Sequence, residues 1–412
     1  MKTSERFDTE HFLEKLENRT LRVGVIGTGY VGLPLALTFA ERAGLVVSGF
    51  DTNEQRVTQL NAGEPCVMGL DATRLRMALR ENRFSATSDF VELVKQDVLI
   101  VTVPTPLNEQ REPDLSFVEH AAKTIARYLQ RDMLVVLSST SYPGTTEEFF
   151  LPILESCGLK CGIDFLLAYS PEREDPGNRH YETTNIPKLV GGIDKQATEV
   201  ATAFFRTAVE KVVPVASAKV AEAAKLTENV FRAVNIALVN ELKVAYEKLG
   251  LDVWDVLDAA ATKPFGFMRF NPGPGLGGHC IPVDPVFLSW KVREAGAATR
   301  LVDLAAEVNQ EMPLRVLTRL LEAFKERSLA IEDSKVLVLG LAYKKDIDDT
   351  RESPALEIIE LLLQHRAAVG FHDPYISKLP VTLARWDDLP EPQSVELTTE
   401  VLSSYDATII VT

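Results

Sequence analysis

The sequence predicts an α/β chain: two doubly wound domains joined by a long central helix and a small helical domain. Short apolar runs rich in β-branched residues alternate with longer helical stretches from residue 21, one helical run fills 217–250, and strand-helix alternation returns at 334. Continuous apolar strands separated by helices belong to a parallel sheet covered on both faces, since each crossover lays a helix on one face. The first domain's strands are expected at LRVGVIG (21–27), VVSGFD (46–51), DVLIVTVP (97–104), MLVVLSST (133–140), FLLAYSPE (165–172) and KLVGG (188–192). The central run ends at Gly250, a C-cap residue, and is too long for a crossover helix. A second helix, 253–261, leads into KPFGFMRFNPGPGLGGHCIPVDP, whose glycines and prolines suit only a shaped loop. After a further helical region come SKVLVLGLAY (334–343), a helix opened by Ser353-Pro354, AAVGFHDPY (367–375) and DATIIVT (406–412). The second domain is therefore Rossmann-like as well, and the sequence stops inside its last strand.

A chain of 412 residues exceeds what one hydrophobic core serves, so several domains are expected. The net charge of −15 repels polyanions and argues against a nucleic-acid or acidic-membrane surface. Residues 1–20 are charged throughout and lack the apolar centre of a signal peptide, and no apolar run reaches the roughly 20 residues of a membrane span. A cytoplasmic location is expected. Cys157 and Cys161 lack the further cysteines or histidines of a zinc site, so no metal is expected.

Gly27-Thr28-Gly29-Tyr30-Val31-Gly32 follows a strand pattern, precedes a helical run, and is followed 19 residues later by Asp51 at a strand end. That context turns a weak GxGxxG match into a dinucleotide site. Gly27 makes the tight turn, Gly29 admits the pyrophosphate, and Gly32 permits close helix-strand packing, with the helix N-terminus facing the phosphates. Asp51 is placed to accept the ribose hydroxyls and would repel a 2′-phosphate, which selects NAD over NADP. The second domain's Gly340-Leu341-Ala342-Tyr343 lacks the glycine spacing and is not expected to hold another dinucleotide.

Cys280 closes the glycine run of GPGLGGHC (273–280), with Asp284 four residues on. Glycines leave backbone N–H groups open to a ligand, and a cysteine beside such donors is a candidate thiolate nucleophile. The chain resembles the UDP-glucose/GDP-mannose dehydrogenase family over nearly its whole length. The motifs that carry this are GTGYVGLPLA (27–36), VPTP (103–106), PDLSFV (113–118), SSTSYPGTT (138–146), SPEREDPGN (170–178), AEAAKLTENVFRAVNIALVNE (221–241), GPGLGGHCIPVDP (273–285) and KKDIDDTRESPAL (344–356).

The resemblance implies an extension (1–20), an NAD-binding domain (21–216), a central dimerisation domain with the cysteine loop (217–312), and a C-terminal nucleotide-sugar domain (313–412). It implies Cys280 as nucleophile, Asp284 as the acid of its motif, the helical pair Lys225 and Asn229 at an oxyanion, Glu172 as a base, and Thr140 positioning water. For the cofactor it adds Tyr30, Val31, Arg56, Thr105 and Thr140. For the substrate it adds Arg173, Gly275, Gly277, Gly278, His279, Lys344 and Arg351 to Glu172, Lys225 and Asn229. Ser138 and Val283 depart from the family pattern, standing where many members have glutamate and where the glucose-oxidising branch has lysine.

The implied reaction is a four-electron oxidation of a sugar CH2OH by NAD, through a Cys280 thiohemiacetal and thioester. His279 before the cysteine resembles the branch acting on UDP-N-acetylhexosamines. UDP-N-acetylglucosamine is the expected substrate, with UDP-N-acetylmannosamine, the galacto epimer, UDP-glucose and GDP-mannose as alternatives. A homodimer or higher homo-oligomer is expected. Two rival classes remain: a two-electron hydroxyacid dehydrogenase, which needs no loop cysteine, and an NAD-binding sensor without chemistry.

Overall fold

The computed structural model describes residues 6–67, 70–173, 181, 183–278, 280–380 and 391–412. It divides into two compact units, Met1–Thr227 and Glu228–Thr412, the division falling within one long helix, Ala218–Lys248.

The first unit is built on an eight-stranded sheet: β1 (Arg22–Ile26), β2 (Val46–Phe50), β3 (Phe84–Thr87), β4 (Val98–Val101), β5 (Leu134–Leu137), β6 (Leu166–Tyr169), β7 (Lys188–Gly192) and β8 (Val212–Pro214). Its order is β3-β2-β1-β4-β5-β6-β7-β8. The first six strands are parallel in the 3-2-1-4-5-6 order of a dinucleotide fold. Strands β4, β5 and β6 are buried at every position, which is why their sequences run apolar without alternation.

Expectation and structure differ at three places. Strand β7 runs antiparallel to β6, so 188–192 does not continue the parallel sheet. The link from β6 to β7 crosses no helix among the described residues, and a parallel neighbour would need one. Strands β3 (FSAT) and β8 (VVP) escape a search for long apolar runs because each sits toward a sheet edge and is short. Residues Thr9–Glu17 form a helix, N-capped by Asp8, and Phe7, Phe12 and Leu16 enter the core of the first unit.

The second unit carries the remainder of the long helix, then helices Val253–Ala261, Asp284–Glu294, Arg300–Gln310 and Met312–Glu326. A four-stranded parallel sheet follows, β9 (Lys335–Leu339), β10 (Ala368–His372), β11 (Gln393–Ser394) and β12 (Ala407–Ile410), ordered β11-β10-β9-β12. Ser353 caps helix Pro354–Gln364 by accepting from the Ala355 N–H, with Pro354 in the first turn. Its inner face, Ile358, Ile359 and Leu362, packs with Val336 and Val338 of β9. Among the described residues no helix is long and apolar enough to cross a membrane.

Candidate active site

The turn after β1 is shaped by what glycine lacks. Gly27 has φ +94° and lies so close to β4 that a Cβ would meet the Thr102 carbonyl oxygen at 2.8 Å. At Gly32 a Cβ would fall 1.8 Å from the Gly27 oxygen, so helix Gly32–Thr38 can start here only without a side chain. A Cβ on Gly29 would meet nothing within 4 Å, leaving the backbone open to a ligand. Thr102 Oγ donates to the Gly27 carbonyl at 2.7 Å and ties the turn to β4.

Asp51 is buried one residue past β2. Its Oδ2 accepts from the Thr28 N–H at 3.0 Å, the Thr28 hydroxyl at 2.8 Å and Arg56 at 3.0 Å, and its Oδ1 from the Asn53 N–H at 3.0 Å. Burial pushes this carboxyl up, but the Asn53, Thr28 and Arg56 donors outweigh it and hold the group below its ordinary range. Arg56 is thus brought to Asp51. Tyr30 is exposed, Val31 is half-buried just before the helix, Thr105 is buried beyond β4, and Thr140 is half-buried beyond β5. An open glycine turn, a helix N-terminus and a fixed carboxylate fit the pyrophosphate and ribose of a dinucleotide.

Also within the first unit, Glu172 lies just beyond β6 and pairs with Lys188 of β7 at 2.6 Å. Both side chains are largely buried, at 11% and 3% exposure, so the pair is a desolvated one. Burial raises the Glu172 carboxyl, yet the Lys188 charge and hydrogen bond, the Arg173 N–H and the charge of Lys225 together hold it below the usual range. Lys225 is buried on the long helix, and Arg173 donates to the Pro187 carbonyl at 2.6 Å. Sequence reasoning missed Lys188. Its signal is a lysine opening the apolar strand KLVGG, a position that needs a partner once buried.

In the second unit Cys280 is exposed and forms no disulfide. Asp284 and Val283 donate their N–H groups to the Cys280 carbonyl at 2.9 and 3.3 Å, closing a turn that runs into helix Asp284–Glu294. The Asp284 side chain is fully buried and accepts from the Asn229 amide at 2.5 Å. Asn229 lies four residues after Lys225 on the same helix, Ala218–Lys248.

The glycines before Cys280 press against the C-terminal domain. The Gly278 N–H donates to the Arg351 carbonyl at 2.9 Å, and Gly278 has φ +82°. A Cβ at Gly277 would meet Tyr343 Cβ at 2.3 Å and the Glu352 oxygen at 2.9 Å. Gly275, with φ +141°, would meet Pro354. At the loop's start the Gly273 N–H donates to the Asn240 side chain at 2.9 Å, and Asn240 donates to Asn309 at 2.9 Å. These buried amides were also missed, since nothing in a helical pattern distinguishes an inward asparagine from an outward one. Lys344 is half-buried, and exposed Arg351 is held by Asp349 at 2.6 Å. His279 and residues 174–178 of the SPEREDPGN motif lie outside the described residues. Ser138 and Val283, the two departures from pattern, are both buried.

A dinucleotide turn with an acidic strand end, in a chain that also presents a cysteine on a glycine loop, defines an NAD-dependent dehydrogenase. The NAD binding, central and UDP binding domains of the UDP-glucose/GDP-mannose dehydrogenase family match residues 21–209, 219–311 and 337–412. The chain belongs to this family and is an NAD-dependent nucleotide-sugar dehydrogenase acting on a CH–OH group. It is 37% identical over 361 residues to a UDP-N-acetyl-D-glucosamine 6-dehydrogenase of Pseudomonas aeruginosa, covering 87% of this chain and 84% of that protein. A protein of the same name from Salmonella typhi is 35% identical over 394 residues, covering 95% and 89%. The solved UDP-D-ManNAc dehydrogenase from Pyrococcus horikoshii superposes with a TM-score of 0.85 at 33% identity, covering 95% of this chain and 89% of that one.

Proposed function

We propose that the protein oxidises C6 of UDP-N-acetylglucosamine to the carboxylate, through a covalent intermediate on Cys280. The observation that supports this reading is the Asn229–Asp284 hydrogen bond, which ties the turn bearing Cys280 to the long helix within the second unit. Gly27, Gly29, Gly32 and Asp51, with Tyr30, Val31, Arg56, Thr105 and Thr140 around them, would hold NAD. Bound NAD supplies the hydride acceptor for each of two oxidations.

The residues of the chain do the rest. Lys225 and Asn229 donate to the substrate oxygen as it becomes anionic. Cys280 Sγ adds to the aldehyde carbon to give a thiohemiacetal, and its oxidation leaves a thioester. Water placed by Thr140 then cleaves the thioester, with Glu172 or Asp284 taking the proton, and the uronate and the thiol are released. Burial raises the Glu172 carboxyl, but the Lys188 charge outweighs it and holds the group below the ordinary carboxylate range, which favours the charged form while making it a weaker base. Arg173, Gly275, Gly277, Gly278, His279, Lys344 and Arg351 complete the nucleotide-sugar contacts, the two C-terminal cations offsetting a diphosphate on a chain of net charge −15. The active form in this reading is a homodimer.

The names of the Pseudomonas and Salmonella relatives support the gluco substrate, and the Pyrococcus structure favours UDP-N-acetylmannosamine as the second reading. A panel of UDP-hexoses and UDP-N-acetylhexosamines followed by NADH absorbance tests both. The expected result is two NADH per uronate, with the largest kcat/KM for UDP-N-acetylglucosamine. One NADH per substrate consumed would favour a two-electron hydroxyacid dehydrogenase.

A further inference from the structure

The long helix carries a buried acidic group that the reaction above does not use. Glu222 is wholly buried, one turn before Lys225. Its carboxylate accepts four hydrogen bonds, all from the segment that follows β5: Ser141 Oγ at 3.3 Å, the Gly144 N–H at 2.6 Å, the Thr146 N–H at 2.8 Å and Thr146 Oγ at 2.6 Å. Two of these donors belong to the start of the helical stretch Thr145–Glu155, whose first N–H groups have no partner within their own helix. The acid therefore caps that stretch from another element, where the helix dipole favours negative charge. Gly144, at φ +102°, makes the turn that presents these donors.

Burying a carboxylate is costly unless every lone pair is answered. Burial pushes the Glu222 carboxyl up, and the Thr146, Gly144 and Ser141 donors only partly pull it back. A threonine-rich loop could be tied down by far cheaper contacts, such as apolar packing or a neutral amide. What the acid achieves is a fixed distance between two backbones. The segment it grips begins one residue after Thr140, and the helix it stands on carries Lys225 one turn later.

We propose that Glu222 is a positioning residue for this enzyme: its carboxylate locks the Thr140 segment to the helix that carries Lys225, so that the water-placing hydroxyl and the oxyanion-stabilising cation keep a common register. The inference rests on the reaction proposed above, since it presumes the roles of Thr140 and Lys225. It differs from a purely structural cap in one consequence. Loosening the clamp lowers the rate of chemistry far more than it weakens the binding of either ligand, because Glu222 is wholly buried and its hydrogen bonds are made to the chain itself.

The test uses the full chain with Glu222→Gln, which keeps the shape but sets an NH2 group against N–H donors, and Thr146→Val, which removes one hydroxyl donor at nearly constant volume. Thermal unfolding, kcat, both KM values and hydrogen–deuterium exchange over 138–150 are measured for each. The expected result is a kcat lowered about tenfold to a hundredfold in Glu222→Gln, the scale of a misplacement near 1 Å. Both KM values change far less than kcat does, exchange over 138–150 accelerates, and Thr146→Val shows a smaller effect of the same kind. Should Glu222→Gln fail to fold, the kcat and exchange of Thr146→Val decide the matter. An unchanged kcat, a kcat that falls only in step with the folded fraction, or a KM for NAD that rises as much as kcat falls would overturn the inference. Failure of the underlying reaction is separate: the wild-type chain would then form no NADH from any nucleotide sugar.

Discussion

In Gly277→Ala a single methyl group enters where Tyr343 Cβ would stand 2.3 Å away and the Glu352 carbonyl oxygen 2.9 Å away. Carbon atoms rest at about 3.5–4.0 Å, so the cysteine loop must retreat by roughly 1.2 Å or more from the Tyr343 side. The neighbours cannot yield in its place, because one is a Cβ fixed to its backbone and the other is itself backbone. Overpacking of this kind costs about 1–3 kcal/mol. The retreat is passed along the chain toward Cys280, three residues on, and pulls on the Gly278–Arg351 hydrogen bond beside it. A displacement near 1 Å of a reacting group costs about a hundredfold in rate. The assay is NADH formation under saturating NAD and nucleotide sugar, beside thermal unfolding of the same preparation. The expected result is a loss of kcat near a hundredfold with the protein still folded at the assay temperature. A kcat within about twofold of wild type would refute the claim that contact with the C-terminal domain sets the position of the cysteine.

Other expectations follow from the same geometry. Gly29→Ala adds a methyl to open space and should leave thermal stability unchanged while raising the KM for NAD, whereas Gly32→Ala, 1.8 Å from the Gly27 oxygen, should destabilise the fold in the same unfolding scan. Lys188→Met removes the cation paired with the buried Glu172 and should cost about 3–5 kcal/mol by denaturant unfolding. It should also move the acid limb of the kcat profile to higher pH, because the Lys188 charge helps to hold Glu172 low. Asp51 and Glu172 both have folded pKa values below their unfolded ones. Their contribution to stability is complete above the unfolded carboxylate range, near 4, and is lost as pH falls through the lower folded values. Unfolding followed across acid pH should show Asp51→Asn less sensitive than wild type in that window.

The parts legible in the sequence are those where a local rule coincides with the global fold. The glycine turn could be read because each glycine answers a distinct steric demand, and the structure places a neighbour where two of the side chains would be. Helix 253–261 and the Ser353-Pro354 cap were legible from caps and periodicity alone. Strand β7 was legible as a strand, but its direction was not, since direction is set by the connection before it. Phe7, Phe12 and Leu16 were hidden by the charged residues between them, Phe7 lying before the helix and Phe12 and Leu16 forming a stripe too sparse to stand out. The buried partners were hidden for a different reason. Lys188, Glu222, Asn240 and Asn309 have ordinary residue types at ordinary positions, and their importance comes from who faces them across distant segments.

The most direct test of the account is the mass of the Cys280 peptide from enzyme quenched in acid during turnover of UDP-N-acetylglucosamine and NAD. A fraction of that peptide is expected to carry the nucleotide-sugar acyl group, released by hydroxylamine as a thioester would be. An unmodified Cys280 peptide throughout turnover, while uronate accumulates, would contradict it.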